Sequence, residues 1–353
     1  MKNIIRIVAV VAVMMASTVA MAGNDNRRGT AGASQLLINP WTRSAGWGSV
    51  NIANARGLES FYANVAGLSF VGKTDIAYSN TMYGGGRNGF KSAAAINALG
   101  LAQRVSDRGV LAFSVMAVSF GDIDKTTFDR PEPTQGTFAP TFMNLNVAYS
   151  HSFTASIHGG VNIKLVNEST SDVSATGFGI DAGIQYVTGA NDELKFGISL
   201  KNWGPTYSYS GTGLTFSFIN PAGNNTVAEY PAAEMELPTC LNIGLSYDFL
   251  FDKWDQVLTL AGSFQSNAFL KDNYAVGFDY SLLKMVHLRA GYVYQRGLFS
   301  ESDRTTFNTG FACGASFEMP LSKKSDATRL MLDYSFKTGS FSGTHSFGLS
   351  ISL

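Results

Sequence analysis

The sequence predicts an all-β protein, a transmembrane antiparallel β-barrel of about fourteen strands preceded by an N-terminal plug segment. Three observations lead there. From about residue 69 to the C-terminus, apolar and polar residues alternate with a period of two, which sends side chains to opposite faces of a sheet. Only 15% of the 353 residues are charged, while Phe and Tyr number 25 and 14. The polar phase is therefore built from Gly, Ser and Asn rather than from the Lys and Glu of a soluble sheet. No apolar stretch of eighteen residues follows residue 22, so spanning helices are excluded, and a closed barrel is the β solution that leaves no backbone edge unpaired in lipid.

Residues 1–22 read as a signal peptide. Lys2 and Arg6 open it, an apolar run follows from Ile7 to Met15, and Ala20-Met21-Ala22 ends it with the small residues of a cleavage site. The run is short for a membrane anchor, and Gly23 rather than Cys follows, which argues against a lipid-modified terminus. Residues 23–68 have no sustained alternation and are too long for an ordinary connector. Leu36, Leu37, Ile38, Trp41, Trp47 and Phe61 argue against a disordered tail, so this segment is read as a plug inside the barrel.

Residues 69–353 form the barrel. Met143, Leu145, Val147 and Tyr149 alternate with Asn144, Asn146, Ala148 and Ser150, and Phe347, Leu349, Ile351 and Leu353 with Ser346, Gly348, Ser350 and Ser352. The apolar phase often ends in Tyr or Phe, as an aromatic girdle requires. Fourteen strands centre near Ala77, Leu99, Val115, Leu145, Val161, Ile180, Ile198, Leu245, Leu260, Phe278, Tyr292, Phe311, Leu332 and Leu349. Short turns are expected near residues 106–108, 152–154, 189–192, 251–253 and 283–285. Longer connections are expected near 83–90, 122–139, 168–175, 204–236 and 297–305. Outer-membrane barrels have short periplasmic turns and longer outer loops.

The chemistry-bearing candidates are few. His158, Lys164, Asp181, Asp279, Arg289 and Asp333 fall on the polar phase and are read as lumenal groups, with ion pairs bracing the plug. His287, Lys195, Arg329 and Lys337 share that phase. A lumenal His with a carboxylate and Ser could serve an enzyme, but these residues are expected on non-adjacent strands and no nucleophile motif marks them. Gly84–Gly89 lacks the Gly-Lys-Ser/Thr ending of a phosphate loop. Cys240 lies on the polar phase and Cys313 on the apolar phase, so no disulfide is expected, and two cysteines with four scattered histidines provide no metal set. No cofactor is expected. Balanced charge, 26 Lys+Arg against 26 Asp+Glu, gives no global field for nucleic acid. The 204–236 loop carries Tyr207, Tyr209, Phe216 and Phe218, an apolar cluster that fits either a partner-binding surface or a lid over the barrel mouth. The loop at 126–141, with Pro131, Pro133 and Pro140, could join it.

Three stretches carry a family resemblance: Gly29-Thr30-Ala31-Gly32-Ala33-Ser34-Gln35-Leu36-Leu37, then Arg43-Ser44-Ala45-Gly46-Trp47-Gly48, then Ser60-Phe61-Tyr62-Ala63-Asn64-Val65-Ala66-Gly67-Leu68. The chain resembles the outer-membrane PorV/PorQ family of Bacteroidetes-type bacteria, within the FadL-like barrels. Arg43, Gly46, Gly48, Asn64, Gly67 and Leu68 stand at the family's plug motif. Val65 replaces a usual Pro, and Arg56-Gly57-Leu58-Glu59 replaces a typical Asp-Asp turn. The resemblance implies a fourteen-stranded plugged barrel in the outer membrane. It also implies a non-enzymatic role in type IX protein secretion, with the translocon and the C-terminal signal domains of secreted cargo as partners. FadL-like relatives instead pass hydrophobic molecules, which is the alternative. In either case outer-membrane lipid surrounds the barrel and a lipid could sit in the lumen. The secretion reading expects a plugged barrel with apolar docking loops. The channel reading expects a continuous apolar pocket behind the plug and a gap in the wall.

Overall fold

The computed structural model describes residues 23–24, 27–84, 94–126, 128–129, 131–132, 136–251, 255–322 and 325–353. The expected signal segment, most of the glycine-rich 84–89 stretch, part of the 126–141 loop and residues 252–253 of an expected turn lie outside the described residues. Fourteen strands close into an antiparallel barrel. They are β1 (Thr74–Tyr83), β2 (Ala94–Arg104), β3 (Gly109–Ser119), β4 (Thr141–Ser152), β5 (Ile157–Thr170), β6 (Val173–Thr188) and β7 (Leu194–Trp203), followed by β8 (Cys240–Phe251), β9 (Gln256–Asn267), β10 (Asn273–Leu282), β11 (Val286–Gln295), β12 (Asn308–Ser322), β13 (Ser325–Gly339) and β14 (Thr344–Ser352). Every strand pairs with its sequence neighbours, and β1 closes the cylinder on β14, from Asp75↔Ser352 to Met82↔His345. All fourteen centres read from the sequence fall within strands.

The distribution of polarity is inverted relative to a soluble protein. Leu99, Ile184 and Leu288 are more than half exposed, whereas Asn162, Gln185 and Ser246 are wholly buried. Such a surface is stable against lipid tails, and the buried polar face needs either water or a hydrogen-bonding filler. The plug is that filler. Even-to-odd connections are short and share one end with both barrel termini, the turn end, which is periplasmic in outer-membrane barrels. The opposite, loop end carries the long connections. One of these departs from the sequence reading. The expected 168–175 loop is a two-residue turn at Ser171-Asp172, because β5 and β6 continue through it as paired strands, Thr170↔Val173, with Ser171 at φ 45°. The β9–β10 and β13–β14 connections at this end are also short.

The plug enters at the loop end and leaves at the turn end. It consists of single turns: Ser34–Leu37, Thr42–Ala45, Gly57–Phe61 and Val65–Phe70. No turn is long enough to be stable alone. Small polar side chains hold them instead. Asn39 Nδ2 donates to Ser44 Oγ and Ser49 Oγ, both at 2.8 Å, and Ser44 Oγ donates to Asn51 Oδ1 at 2.6 Å. Trp41, Leu58, Phe61, Val65 and Leu68 pack on Ala77, Ala98, Ala102, Ala112 and Ala148 of the wall. Each fully buried large side chain contributes roughly 1.5–3 kcal/mol. Elsewhere the plug backbone lies directly on wall glycines. A Cβ at Gly291 would stand 2.2 Å from the Trp47 carbonyl oxygen, and one at Gly197 2.4 Å from that of Ile52. The motif glycines follow the same logic: a Cβ at Gly46 would meet Gly314 Cα at 3.0 Å, and one at Gly67 the Ala55 carbonyl oxygen at 2.2 Å.

Candidate functional site

Asn64 joins the plug to the wall. Its Oδ1 accepts from Ala66 N at 3.2 Å and caps the Val65–Phe70 turn. Its Nδ2 faces the carbonyl oxygens of Ile52 (3.1 Å), Ile184 (3.0 Å) and Ile198 (3.3 Å). One side chain thus ties two plug turns to β6 and β7. Leu68 is wholly buried beside it. Gly48 takes φ +75°, which the turn after Thr42–Ala45 requires.

Charged groups gather at the turn end. Arg289 Nε donates to Asp279 Oδ2 at 2.8 Å, and these residues are direct partners on adjacent β10 and β11, not on the non-adjacent strands expected from sequence. His287 places Nδ1 3.3 Å from Asp279 and Nε2 3.2 Å from Glu318. Glu318 also accepts from Arg43 of the plug at 3.1 Å and from Arg329 at 3.3 Å. Ser316 links Arg289 to Asp333. Arg43 therefore reaches a wall carboxylate that the sequence reading did not single out, although Glu318 lies on the lumenal phase with Ser316. Glu59, also on the plug, is half-buried. Burial pushes its carboxyl above the usual range, partly opposed by Arg43 and Arg289.

A second network lies on the far wall. Lys164 Nζ pairs with Asp181 Oδ2 at 2.8 Å and donates to Asn202 Oδ1 at 2.6 Å. Asn202 N donates to Asp181 Oδ1 at 2.8 Å. Here the β6–β7 register shifts between Ile180 and Ala182, and Asn202 takes φ 59°, a bulge whose backbone the ion pair satisfies. His158 does not join Asp181. Its ring contacts Ser152 Oγ at 3.0 Å and the Ala155 carbonyl at 3.2 Å, so the carboxylate that a catalytic triad needs is not at its other nitrogen. Cys240 and Cys313 are both free thiols.

The loop aromatics divide. Tyr207 is buried, packed with Ala33, Leu36, Val166 and Leu237, so it is not available to a partner as the sequence reading expected. The N-terminal segment crosses over it, a contact no local pattern reveals. Tyr209 OH donates to Glu168 Oε2 at 2.6 Å, and Tyr207 OH faces the same oxygen at 3.3 Å. Burial first pushes both phenols above the usual range, followed by the Glu168 charge for Tyr207 and by the hydrogen bond to Glu168 for Tyr209. Phe216 and Phe218 lie on a free-standing hairpin, Thr215–Ile219 with Asn225–Glu229, where Phe216 stacks on Tyr230 with centroids 4.4 Å apart.

Among the described residues, a cavity of several hundred Å³ lies at each end of the plug. The turn-end cavity, 610 Å³, lies between Arg43, Arg56 and Glu59 of the plug and the β1, β13 and β14 wall. The loop-end cavity, 410 Å³, lies between Leu37, Ile38 and Tyr62 of the plug and a wall that includes Lys201, Val293, Phe307 and Phe311. Its lining mixes apolar groups with Asn242, Gln265, Asn273 and Thr306, so it is not the continuous apolar pocket expected of a channel. Among the described residues the wall shows no missing strand pair. It carries register shifts, one in β12 between Asn308 and Ala312, where Gly310 takes φ +100°. Outside, a 980 Å³ apolar furrow runs over Gly262 and Ala290 between Phe196, Phe264, Phe278 and Tyr292. Ser263, Ala275 and Phe311 border both the furrow and the loop-end cavity, so the wall there is one backbone thick.

No family model and no curated protein matches this sequence. Solved structures do. The CymD monoaromatic hydrocarbon channel aligns with TM-score 0.53 and 14% identity over 90% of this chain and 97% of its own. The Pseudomonas putida toluene transporter TodX aligns with TM-score 0.53 and 12% identity over 89% of this chain and 98% of its own. A TodX monoaromatic hydrocarbon channel lacking S2 and S3 aligns with TM-score 0.52 and 13% identity over 88% and 97%. These neighbours are channels and transporters, not enzymes, and nothing in the matches points to the PorV/PorQ branch or to type IX secretion. The chain shares with these structures the fold of a closed antiparallel barrel, here of fourteen strands.

Proposed function

We propose that the protein is a non-enzymatic outer-membrane conduit that takes small apolar or amphipathic molecules at its loop end. The 410 Å³ cavity between plug and wall carries this reading, because its volume suits a small ligand and its lining offers both apolar rings and hydrogen-bonding amides. The structural neighbours named for hydrocarbon and toluene transport support it. Ser263 and Ala275, paired across β9 and β10, separate the cavity from the apolar furrow outside by a closed sheet. Passage to the turn end would require the plug's waist to move against wall glycines. A second reading, docking of secreted proteins, is favoured by the exposed Phe216 and Phe218 hairpin.

The test is gentle detergent purification of the tagged protein, followed by mass spectrometry of bound small molecules and copurifying proteins. Titration with an apolar fluorescent probe follows. Ser263→Trp should fill the cavity and abolish probe binding while leaving the folded barrel's heat-modifiable gel mobility unchanged. Binding that Ser263→Trp leaves intact, or no bound molecule and no probe binding, would overturn the conduit. A very large translocon subunit or secreted cargo in the purification would establish the docking reading.

A further inference from the structure

Gly23 N lies at the loop end and donates to Asp272 Oδ2 at 2.8 Å, across 249 residues of sequence. Asp272 sits in the short β9–β10 connection and is only 8% exposed. Its other oxygen, Oδ1, accepts from Asn267 N at 3.2 Å, and Asn267 Nδ2 holds the Lys271 carbonyl at 2.8 Å, so the carboxylate is fixed in place. The cradle admits glycine alone. A Cβ at residue 23 would stand 2.7 Å from the Leu270 carbonyl oxygen and 2.9 Å from both Asp272 N and Oδ1.

We propose that the Ala22–Gly23 bond is the processing site, and that the α-ammonium released there docks on Asp272 as an ion pair that latches the plug to the loop end. The two arguments are independent. The small residues Ala20 and Ala22 mark a cleavage point, but nothing in that pattern requires a carboxylate 249 residues away or a cradle without room for a side chain. In the cleavage a signal peptidase of the exporting cell adds water across the amide. The C–N bond breaks, the hydroxyl joins the Ala22 carbonyl, and the nitrogen gains protons to become an ammonium balanced by the new carboxylate. An α-amino group has a pKa of about 8, so it is charged at neutral pH. Before cleavage the Gly23 nitrogen is a neutral amide. Charge-assisted hydrogen bonds are about twice as strong as neutral ones, so processing strengthens this contact.

The residues that follow hold the terminus in register. Arg27 pairs with Glu236, and its guanidinium lies 4.4 Å from the Phe269 ring centroid. Gly32 N donates to the Glu236 carbonyl at 3.0 Å, and Ala31 bridges Glu236. Leu270, Asn267 and Asn273 also line the loop-end cavity, so the latch sits at its rim. A processed plug is tied at both ends, by its ammonium to the β9–β10 loop and by its chain to β1.

The exported full chain, purified in detergent, tests this. Its intact mass should begin at Gly23. Labelling of the terminal amine by 2-pyridinecarboxaldehyde, which is selective for α-amines, should be at least about tenfold slower in the wild type than in Asp272→Asn. That variant keeps an acceptor for Asn267 N. Gly23→Ala, whose Cβ the cradle excludes, should label as fast as Asp272→Asn. Blocking the wild-type terminus after partial unfolding and refolding should remove the stability difference between wild type and Asp272→Asn, the signature of a coupled pair. A mass beginning at Met21 or elsewhere, or equal labelling rates in all three proteins, would overturn the proposal.

Discussion

Replacing Asn64 should free the plug from the wall more than any other single plug substitution. Asn64 is 1% exposed and makes the cap to Ala66 N together with donor contacts to Ile52, Ile184 and Ile198. The two amide protons can satisfy two of the three carbonyls at once. Asn64→Ala removes a cap worth about 1 kcal/mol and two buried donor bonds worth about 1 kcal/mol each. The total, about 3 kcal/mol, raises local opening of the Val65–Phe70 turn by on the order of a hundredfold. Asn64→Asp is the sharper probe. It keeps the cap oxygen but turns a carboxylate oxygen toward three carbonyl oxygens in a buried site, so it should cost more than alanine despite its near-identical shape. Hydrogen exchange of a peptide covering residues 61–70, read by mass spectrometry in detergent, measures both. If Asn64→Asp exchanges as slowly as the wild type, the donor side of the network does not hold the plug. A change of less than fivefold in Asn64→Ala would refute the magnitude.

Gly291→Ala should shift the plug, because its Cβ would meet the Trp47 carbonyl at 2.2 Å and both partners are backbone; a lowered unfolding midpoint and raised ion conductance in planar bilayers are expected. Glu59→Gln should stabilise the protein at neutral pH. Burial raises the native carboxyl's pKa above its unfolded value, so the native state binds the extra proton, and wild-type stability falls as pH rises from the unfolded pKa through the native one. Glu59 Oε2 has no hydrogen-bond partner among the described residues, and the variant should flatten that fall in a urea series from pH 4 to 8. Tyr209→Phe should cost about 1.5–3 kcal/mol, because it removes a 2.6 Å hydrogen bond to the buried Glu168 carboxylate. Protease nicking of the 204–236 loop should rise with it, and an unchanged nicking rate would show that Tyr207 alone holds the loop.

Much of this molecule follows from the sequence alone. Period-two alternation determined the strands because each strand has one lipid face and one lumenal face, and lipid and polar filler sort side chains residue by residue. Glycine-rich lumenal positions and the small-residue plug belong to the same local logic. What the alternation cannot carry is distance across the barrel. Asp279 meets Arg289 on one rung, and Lys164 meets Asp181 diagonally, because antiparallel register sets which residues of neighbouring strands come together. Glu318 takes Arg43 because the plug's path through the lumen brings them together from 275 residues apart. Tyr207 is buried and Gly23 docks on Asp272 for the same reason: the first residues of the plug return to the loop end, where long-range packing, not local pattern, selects their neighbours.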